Sequence, residues 1–194
     1  MVGALIGHSL DKFIVTVYRF ILGNKSIHPN VLTIFGTCFG FAASACIILE
    51  YFLIGAFALL VSGFFDMLDG ALARSTGKVT PFGGFFDSVL DRYTDLVIMG
   101  GIILFFIMRN DIIYSVITFI AAIGTAIIPY ARARAEAASV QCRAGLLERP
   151  ERIALLLVGL FFPPSLPYIV IILAVLTHVT VIQRIVHVYK ALNN

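Results

Sequence analysis

Residues 66–91 read DMLDGALARSTGKVTPFGGFFDSVLD, and they place four carboxylates in or beside two otherwise apolar segments. The carboxylates belong to Asp66, Asp69, Asp87 and Asp91. An ionised side chain in hydrocarbon costs at least about 2.5 kcal/mol on insertion scales. Four such side chains within so short a stretch therefore predict a compensating partner, most simply a pair of divalent metal ions.

Helical spacing predicts that these acidic residues meet. Residues three or four positions apart share one face of a helix. Residues 75–84 separate two acidic sets and contain glycines and a proline that favour a turn, so we expect a tight antiparallel hairpin with facing acidic stripes. Carboxylate oxygens in this number are ligands for hard cations such as Mg²⁺, and paired metals can clamp a pyrophosphate. The stripes consist of Asp66 and Asp69 on one helix and of Asp87, Asp91 and Asp95 on the next.

Composition places the chain in a membrane. Of its 194 residues, 60% are hydrophobic and 13% are charged, whereas soluble domains average about 25% charged residues. A transmembrane helix needs about 20 apolar residues, so six apolar runs predict an all-α integral membrane protein with six transmembrane helices, the fifth of them short. The runs cover residues 31–49, 52–72, 85–108, 112–131, 150–164 and 166–188.

A single domain over residues 1–194 is expected, because no linker separates two parts of the chain. Its six-helix bundle is predicted at residues 29–190. Residues 1–23 have apolar positions at helical spacing and no cleavage site, which favours an amphipathic helix in the headgroup plane over a signal peptide. A buried helix packed on its neighbours is the alternative.

The distribution of basic residues predicts the orientation. With six spans, 13 of the 14 Lys and Arg residues fall on or near one side, and only Arg109 lies by a loop on the other. The positive-inside rule makes the first side cytoplasmic, so we expect an inner (cytoplasmic) membrane protein whose acidic motif and both termini face the cytoplasm. A basic face beside anionic lipid explains the net charge of +3, and no nucleic acid partner is expected. The three Cys and four His show no metal-binding spacing.

The acidic stretch resembles the motif of the CDP-alcohol phosphotransferases, D-x-x-D-G-x-x-A-R, eight residues, then G-x-x-x-D-x-x-x-D, and every fixed position is filled. The resemblance implies a phospholipid-synthesising transferase in which two Mg²⁺ ions, or Mn²⁺ in their place, bind the pyrophosphate of CDP-diacylglycerol or CDP-archaeol. It also implies that an acceptor hydroxyl displaces CMP and that Asp91 accepts the hydroxyl proton. An acidic hairpin lining an ion path is the alternative. The motif residues are Asp66, Asp69, Gly70, Ala73, Arg74, Gly83, Asp87 and Asp91.

The resemblance extends to the start of the first predicted span, HPNVLTIFG. Asn30 and Thr33 would ordinarily satisfy free backbone donors at a helix start. In the family, a P-N-x-x-T element at this place contributes to the CDP-lipid pocket, and Thr80 matches a further pocket position. Two motif glycines would let a ligand approach the backbone, and the motif arginine supplies a cation for a phosphate oxygen. The implied CDP-lipid residues are Asn30, Val31, Leu32, Thr33, Gly70, Arg74, Thr80 and Gly83.

The connection between the fourth and fifth predicted spans is rich in arginine. Its R-A-R-A-E and G-x-x-E-R-P-E-R segments, with Q-R near the last helix end, resemble the branch of the family that makes phosphatidylinositol phosphate or its archaeal ether-lipid counterpart. That branch implies a phosphorylated alcohol as the acceptor, inositol phosphate first. Glycerol 3-phosphate is the second acceptor considered, and it would make the protein a phosphatidylglycerophosphate synthase. The implied phosphate-binding residues are Arg132, Arg134, Arg152 and Arg184.

These arginines and the acidic stripes also have simpler explanations. Positive-inside topology alone enriches arginine in this connection. Arg134 and Glu136 would then pair with each other or with Glu148, and Arg184 would extend along lipid to the headgroups. A cation transporter also uses intramembrane carboxylates, but it would need them deep along several spans. The family resemblance further suggests a homodimer, and small residues would allow close helix contact, among them Gly100, Gly101 and Gly124.

Overall fold

A computed structural model of the chain describes residues 28–142 and 144–193, and every regular element in these two ranges is helical. The interfacial helix predicted at residues 1–23 lies outside the described residues. The elements are α1 (Pro29–Ile48), α2 (Phe52–Ser75), α3 (Pro81–Met108), α4 (Ile112–Ala137), α5 (Arg149–Phe161) and α6 (Leu166–Asn193), with a 3-10 turn at Pro163–Ser165. The predicted all-helical class is confirmed for this part of the chain.

Caps and prolines determine where the helices begin near the acidic residues. At the start of α3, the Thr80 side-chain oxygen accepts a hydrogen bond from the Gly83 backbone N–H at 3.0 Å, and Pro81 is the first helical residue. At the start of α5, the Glu151 carboxylate accepts from the Glu148 backbone N–H at 3.1 Å in a capping box. Both arrangements satisfy backbone donors that a helix start leaves free. The two caps determine where α3 and α5 start, and therefore where their side chains lie relative to the acidic stripes.

Four helical segments are long and apolar enough to cross a membrane: α1, α2, α4 and the segment from Pro163 through α6. The protein is therefore a multi-pass membrane protein. Helix α3 has 28 residues but carries four charged side chains between Asp87 and Asp95, which lowers its hydropathy. Helix α5 has 13 residues and rises about 20 Å, which is short of a hydrocarbon core of about 30 Å. The prediction of a short fifth helix is confirmed.

The acidic hairpin is open, and the prediction that it is tight is wrong. Helices α2 and α3 do not pack closely on each other, whereas α1 packs against both. A Cβ on Gly36 of α1 would lie 3.3 Å from the Ser62 carbonyl oxygen of α2. On the other side, the Ser44 hydroxyl of α1 donates to the Val97 carbonyl of α3 at 2.7 Å. Close packing of α2 on α3 would press their carboxylates together out of water, so the gap avoids a large desolvation cost.

The two ends of the bundle differ in charge. At one end, a bidentate pair between Arg109 and Glu50 joins the α3–α4 loop to the α1–α2 loop. At the other end lie the acidic residues and the arginine-rich α4–α5 connection. Helix α4 packs on α3 and α6, and α5 packs on α2 and α6, around one large apolar core. The outward faces expose many large apolar side chains, which suits contact with lipid.

Two neighbouring glycines of α3 give a prediction about helix packing. A Cβ on Gly101 would lie 3.0 Å from the backbone oxygen of Ser44 in α1, whereas a Cβ on Gly100 meets nothing within 4 Å. We expect Gly101→Ala to destabilise the protein by about 1–3 kcal/mol, because backbone atoms cannot move aside cheaply. Gly100→Ala is the matched control and is expected to keep or raise stability, because alanine favours helix. Thermal unfolding in detergent, followed by circular dichroism, measures both, and equal melting temperatures would contradict the packing described.

Candidate active site

Three carboxylates meet across the gap between α2 and α3. One oxygen from each of Asp66, Asp87 and Asp91 lies within 4.8 Å of the others. The Oδ1 atom of Asp87 is buried and has no hydrogen-bond partner among the described residues. Grouped carboxylate oxygens with an unsatisfied buried acceptor fit a hard divalent cation, whose usual ligands are such oxygens. The structure thus brings together three of the four predicted metal ligands.

The fourth predicted ligand, Asp69, has a different environment. It is 5% exposed, and its Oδ2 accepts a hydrogen bond from the Thr33 hydroxyl of α1 at 2.5 Å. Asp69 does not belong to the group of three oxygens, but it lines the same gap. The hydroxyl holds the carboxylate in this orientation at the wall of the gap.

Two cavities meet at the carboxylates. The polar cavity, of about 280 Å³, lies between the start of α1, the end of α2 and the start of α3. The apolar cavity, of about 650 Å³, lies between α2 and α5. Apolar side chains of these two helices form one part of its wall, and the motif carboxylates with Arg74 and Arg149 form the other. The residues that line both cavities are Asp69, Gly70, Arg74 and Asp87. A molecule with a polar head and an apolar body can therefore occupy both cavities, with the junction at the carboxylates.

Most of the predicted CDP-lipid residues surround the polar cavity. Val31 and Leu32 do not: Val31 is 39% exposed, and Leu32 is 2% exposed within a small core between α1 and α2. Thr80 lines the cavity and also caps α3, so its oxygen has a structural role as well. The predicted residues that line the polar cavity are Asn30, Thr33, Gly70, Arg74, Thr80 and Gly83.

Arg149, which the sequence did not single out as a site residue, lies among the carboxylates. Its Nη1 is 2.6 Å from an oxygen of Asp66 and 2.8 Å from an oxygen of Asp91, and its Nε is 3.4 Å from Asp95. Arg149 is the first residue of α5, and the capping box holds it there. Asp95 also binds Arg152 at 2.7 Å. The sequence signals for these contacts were the place of Asp95 at the end of an acidic stripe and the arginine-rich connection that contains Arg149.

The predicted phosphate-binding arginines are in three different environments. Arg132 is exposed and pairs with Glu136 at 2.9 Å, a partner that the sequence offered to Arg134, and Arg134 is exposed. Arg152 is buried against Asp95. Arg184 is 3% exposed, so its guanidinium does not extend to the headgroups. The structure therefore does not bring all four side chains to one point, although the charges of Arg132 and Arg152 act on Arg184.

One face of α6 holds the α4–α5 connection in place. The Arg184 guanidinium donates to the Ala144 carbonyl at 3.0 Å and to the Ile128 carbonyl at 2.5 Å. Thr180, one turn earlier, accepts from the Leu147 backbone N–H at 3.1 Å. Because the connection leads directly into the capping box of α5, these bonds help to fix Arg149 and Arg152 beside the acidic stripe.

Fold and site together define a multi-pass helical membrane protein with a carboxylate centre suited to a divalent cation. The sequence profile of CDP-alcohol phosphatidyltransferases matches residues 26–186. The chain belongs to the CDP-alcohol phosphatidyltransferase family, which confirms the resemblance noted in the motif. Membership also disfavours the cation transporter, as does the clustering of the described acidic site residues at one end of the bundle.

Relatives and solved structures agree with this assignment. The archaetidylinositol phosphate synthase of Pyrococcus horikoshii is 40% identical over 172 residues, which cover 88% of each chain. The enzyme of the same name from Methanothermobacter thermautotrophicus is 36% identical over 191 residues, 94% of this chain and 95% of the relative. The fold is similar to Mycobacterium tuberculosis phosphatidylinositol phosphate synthase with CDP-DAG bound, with a TM-score of 0.79 and 30% identity over 95% of this chain and 94% of that one. The manganese and citrate complex of that enzyme gives a TM-score of 0.80 and 29% identity over 94% and 88% of the two chains.

The Thr33 hydroxyl gives a second prediction. Thr33→Val keeps the side-chain shape but leaves the buried Asp69 carboxylate without its hydrogen bond, so we expect a loss of about 1–3 kcal/mol in stability and weaker CDP-lipid binding. Thr37→Val is the matched control, because the Thr37 hydroxyl donates only to the carbonyl of Thr33 within α1, at 3.0 Å. Thermal unfolding and a CDP-lipid titration measure the two effects. Identical behaviour of the two variants would show that the Thr33–Asp69 bond is unimportant.

Proposed function

We propose that this protein transfers the phosphatidyl group, or its ether-lipid equivalent, from a CDP-activated lipid to inositol phosphate, giving phosphatidylinositol phosphate or its archaeal counterpart and CMP. The observation that carries the proposal is the carboxylate cluster at the junction of a polar and an apolar cavity. The names of the similar enzymes point to inositol phosphate as the acceptor. Glycerol 3-phosphate, the second acceptor considered, has no such support.

The two cavities suit the two parts of a CDP-lipid. The CDP group would lie in the polar cavity, where Arg74 offers a cation and the backbone at Gly70 and Gly83 is open to close approach. The lipid chains would lie along the apolar part of the second cavity, which is formed by side chains such as Leu59, Leu60 and Leu157. The diphosphate would then lie at the junction, beside the carboxylates. We propose Asn30, Thr33, Gly70, Arg74, Thr80 and Gly83 as the residues that bind CDP-lipid.

The carboxylates would hold the metal. We propose that Asp66, Asp69, Asp87 and Asp91 bind two Mg²⁺ ions, for which Mn²⁺ would substitute. Bound Mg²⁺ would neutralise charge on the diphosphate and on the departing CMP. The proposal is supported by the three grouped oxygens and the unpartnered Oδ1 atom of Asp87. Asp69 would contribute a carboxylate oxygen from the wall of the same gap.

Asp91 is the proposed general base. It lies on α3 in the same group of oxygens as Asp66 and Asp87, and it lines the apolar cavity close to where the lipid-side phosphorus would be placed. An acceptor hydroxyl that attacks this phosphorus would give its proton to the Asp91 carboxylate, while the bond from phosphorus to CMP breaks. A base must be within hydrogen-bond reach of the proton it takes, and the position of Asp91 at the cavity wall supports this role.

The acceptor phosphate would be bound on the basic side of the carboxylates. Arg132 and Arg152 are each near enough for their charges to act on Arg184, which supports a shared basic region for the acceptor phosphate. Each guanidinium uses part of its donor set on protein partners, and a planar fork with five donors can also contact a phosphate. Arg134, exposed at the end of α4, is the outermost of the four proposed residues.

The membrane orientation and the oligomeric state of the protein are also proposed. We propose one domain whose six helices all cross the cytoplasmic membrane, with the site and both termini facing the cytoplasm. The basic connection and the acidic motif lie at the same end of the bundle, as the positive-inside rule requires for a cytoplasmic end. The proposed homodimer rests on the family resemblance. Gly101 and Gly124 do not support it directly, because they face Ser44 and Thr177 of the same chain.

The test is to offer the purified protein, in detergent, CDP-diacylglycerol or CDP-archaeol with a panel of alcohols and to measure CMP. The panel contains inositol phosphate, glycerol 3-phosphate, free inositol and serine. We expect fast release only with inositol phosphate and only when Mg²⁺ or Mn²⁺ is present. Release with glycerol 3-phosphate alone would move the protein to the phosphatidylglycerophosphate synthases, and release with free inositol at the same rate would reject a phosphate-binding acceptor pocket.

A further inference from the structure

We infer that Arg149 is a displaceable counter-cation of the carboxylate site, which a divalent ion must push aside before it can bind Asp66 and Asp91. This inference rests on the proposed metal site. It adds a residue that regulates how tightly the site takes its ion. The displaced guanidinium would then serve as an anion-binding group at the wall of the apolar cavity.

The geometry of one nitrogen atom carries the inference. Nη1 of Arg149 is 2.6 Å from an oxygen of Asp66 and 2.8 Å from an oxygen of Asp91, so one donor group joins α2 to α3. Both carboxylates belong to the set of three whose oxygens suit a metal ion. A divalent ion that binds these oxygens needs the same space, and it repels the positive guanidinium at short range. The ion and the guanidinium therefore compete.

Arg149 differs in this respect from the other arginines near the site. Arg152 binds Asp95 at 2.7 Å and has no ion pair with the group of three. Arg92 approaches Asp95 at 4.0 Å and also has no ion pair with that group. Among the described residues, the salt bridges to Asp66 and Asp91 come from Arg149. The competition is therefore specific to one side chain, which makes it testable by substitution.

The apolar cavity offers space for the displaced Arg149 side chain. Arg149 is the first residue of α5, and its side chain lines the apolar cavity together with Asp87, Gly70 and Arg74. Its Nε lies 3.4 Å from Asp95, which is outside the group of three and would keep the side chain tethered. A guanidinium held at this wall could donate to a phosphate oxygen of the bound lipid. The Arg149 guanidinium would then exchange its carboxylate partners for a phosphate, so its positive charge would stay compensated.

A permanent structural role would have the opposite consequence for metal binding. If Arg149 only held α2 and α3 at the right separation, its removal would loosen the three carboxylates and weaken metal binding. If it competes, its removal strengthens metal binding in the absence of CDP-lipid. The sign of the change in metal affinity separates the two roles.

The experiment measures Mn²⁺ affinity for EDTA-stripped protein in detergent without CDP-lipid, from the electron paramagnetic resonance signal of free Mn²⁺. Arg149→Gln is expected to bind Mn²⁺ about tenfold more tightly than the natural sequence, because two charge-assisted hydrogen bonds no longer have to be broken. Arg92→Gln is the matched control: it removes a nearby positive charge that forms no ion pair with the three carboxylates, so we expect a much smaller gain in affinity. An Arg149→Gln affinity that is equal to or weaker than that of the natural sequence would overturn the inference.

A second measurement on the natural sequence covers the case in which Arg149→Gln does not fold. Phenylglyoxal labels accessible guanidinium groups, and mass spectrometry locates the label. The Arg149 side chain is 17% exposed and ion-paired, so we expect slow labelling after EDTA treatment and at least severalfold faster labelling with saturating Mn²⁺. Unchanged labelling of Arg149 in protein that binds Mn²⁺ would overturn the inference and leave the metal site intact. Failure of the natural protein to bind Mn²⁺ at all would instead reject the proposed metal site, and the inference with it.

Discussion

Asp87→Asn is expected to lower CMP release by more than about 100-fold. Asparagine keeps the size of the side chain and one acceptor oxygen, but it removes a negative charge from the group formed with Asp66 and Asp91. The Oδ1 atom of Asp87 is buried without a partner, so it is well placed to bind an ion directly. Loss of a residue that only supports a metal ligand costs about 10–100-fold, and a direct ligand should cost more.

Two measurements on Asp87→Asn separate metal binding from catalysis. CMP release at saturating CDP-lipid and acceptor gives the turnover, and the Mn²⁺ affinity gives the state of the site; both should fall. Asp111→Asn is the matched control, because Asp111 caps α4 at the other end of the bundle by accepting from the Tyr114 N–H at 3.4 Å. Asparagine caps helices about as well as aspartate. Asp87→Asn protein that retains a tenth of the natural turnover would reject Asp87 as a metal ligand.

Asp91→Asn is expected to lose about 10²–10⁴-fold in turnover while CDP-lipid still binds. This range is what removal of a general base typically costs. The expectation follows from the position of Asp91 at the cavity wall, where an acceptor hydroxyl would approach the lipid-side phosphorus. Asparagine still offers an oxygen to an ion, so the nucleotide end of the lipid should remain held.

Comparison of Asp91→Asn with Asp87→Asn distinguishes a general base from a metal ligand. Both variants should be nearly inactive, but only Asp87→Asn should lose CDP-lipid affinity together with activity. Titration of each variant with CDP-lipid, followed by heat of binding, measures the difference. If Asp91→Asn loses CDP-lipid affinity to the same extent, then Asp91 serves only as a metal ligand and another group takes the proton.

The helices could be located from hydropathy, but several of their ends could not. Helix α4 continues to Ala137, six residues beyond the predicted run, and α3 begins at Pro81, four residues before it. Hydropathy reports contact with lipid, whereas a helix continues as long as its backbone bonds are made and capped. The early start of α3 follows from Thr80, which caps it. Thr80 followed by Pro81 is a capping signal, but the helix start was predicted from the apolar pattern, which begins four residues later.

The open hairpin could not be predicted from the spacing of the acidic residues along the sequence. The interval between Asp87 and Asp91 predicts a shared helix face, and the structure confirms that they meet Asp66. Spacing says nothing about the distance between two helices, which here depends on α1 packing against both of them. A tight hairpin would have left no room for the two cavities that meet at the carboxylates.

The role of Arg149 could not be predicted because its contacts are long-range. It lies 83 residues after Asp66 and 58 after Asp91 in the chain. The sequence identified a basic connection as a whole, and local pattern did not distinguish Arg149 from its neighbours. Its contacts depend on the capping box of α5 and on the bonds from α6 that fix the preceding loop. Only the assembled fold defines them.

The most direct test of the metal-binding carboxylate cluster is anomalous diffraction at the manganese edge, from crystals grown with Mn²⁺ and a CDP-lipid. We expect anomalous peaks between the carboxylates of Asp66, Asp87 and Asp91, with the lipid diphosphate against them and the Arg149 guanidinium moved off Asp66 and Asp91. No manganese peak at this position, with Arg149 still bridging α2 and α3 and the diphosphate bound elsewhere, would contradict the central claim.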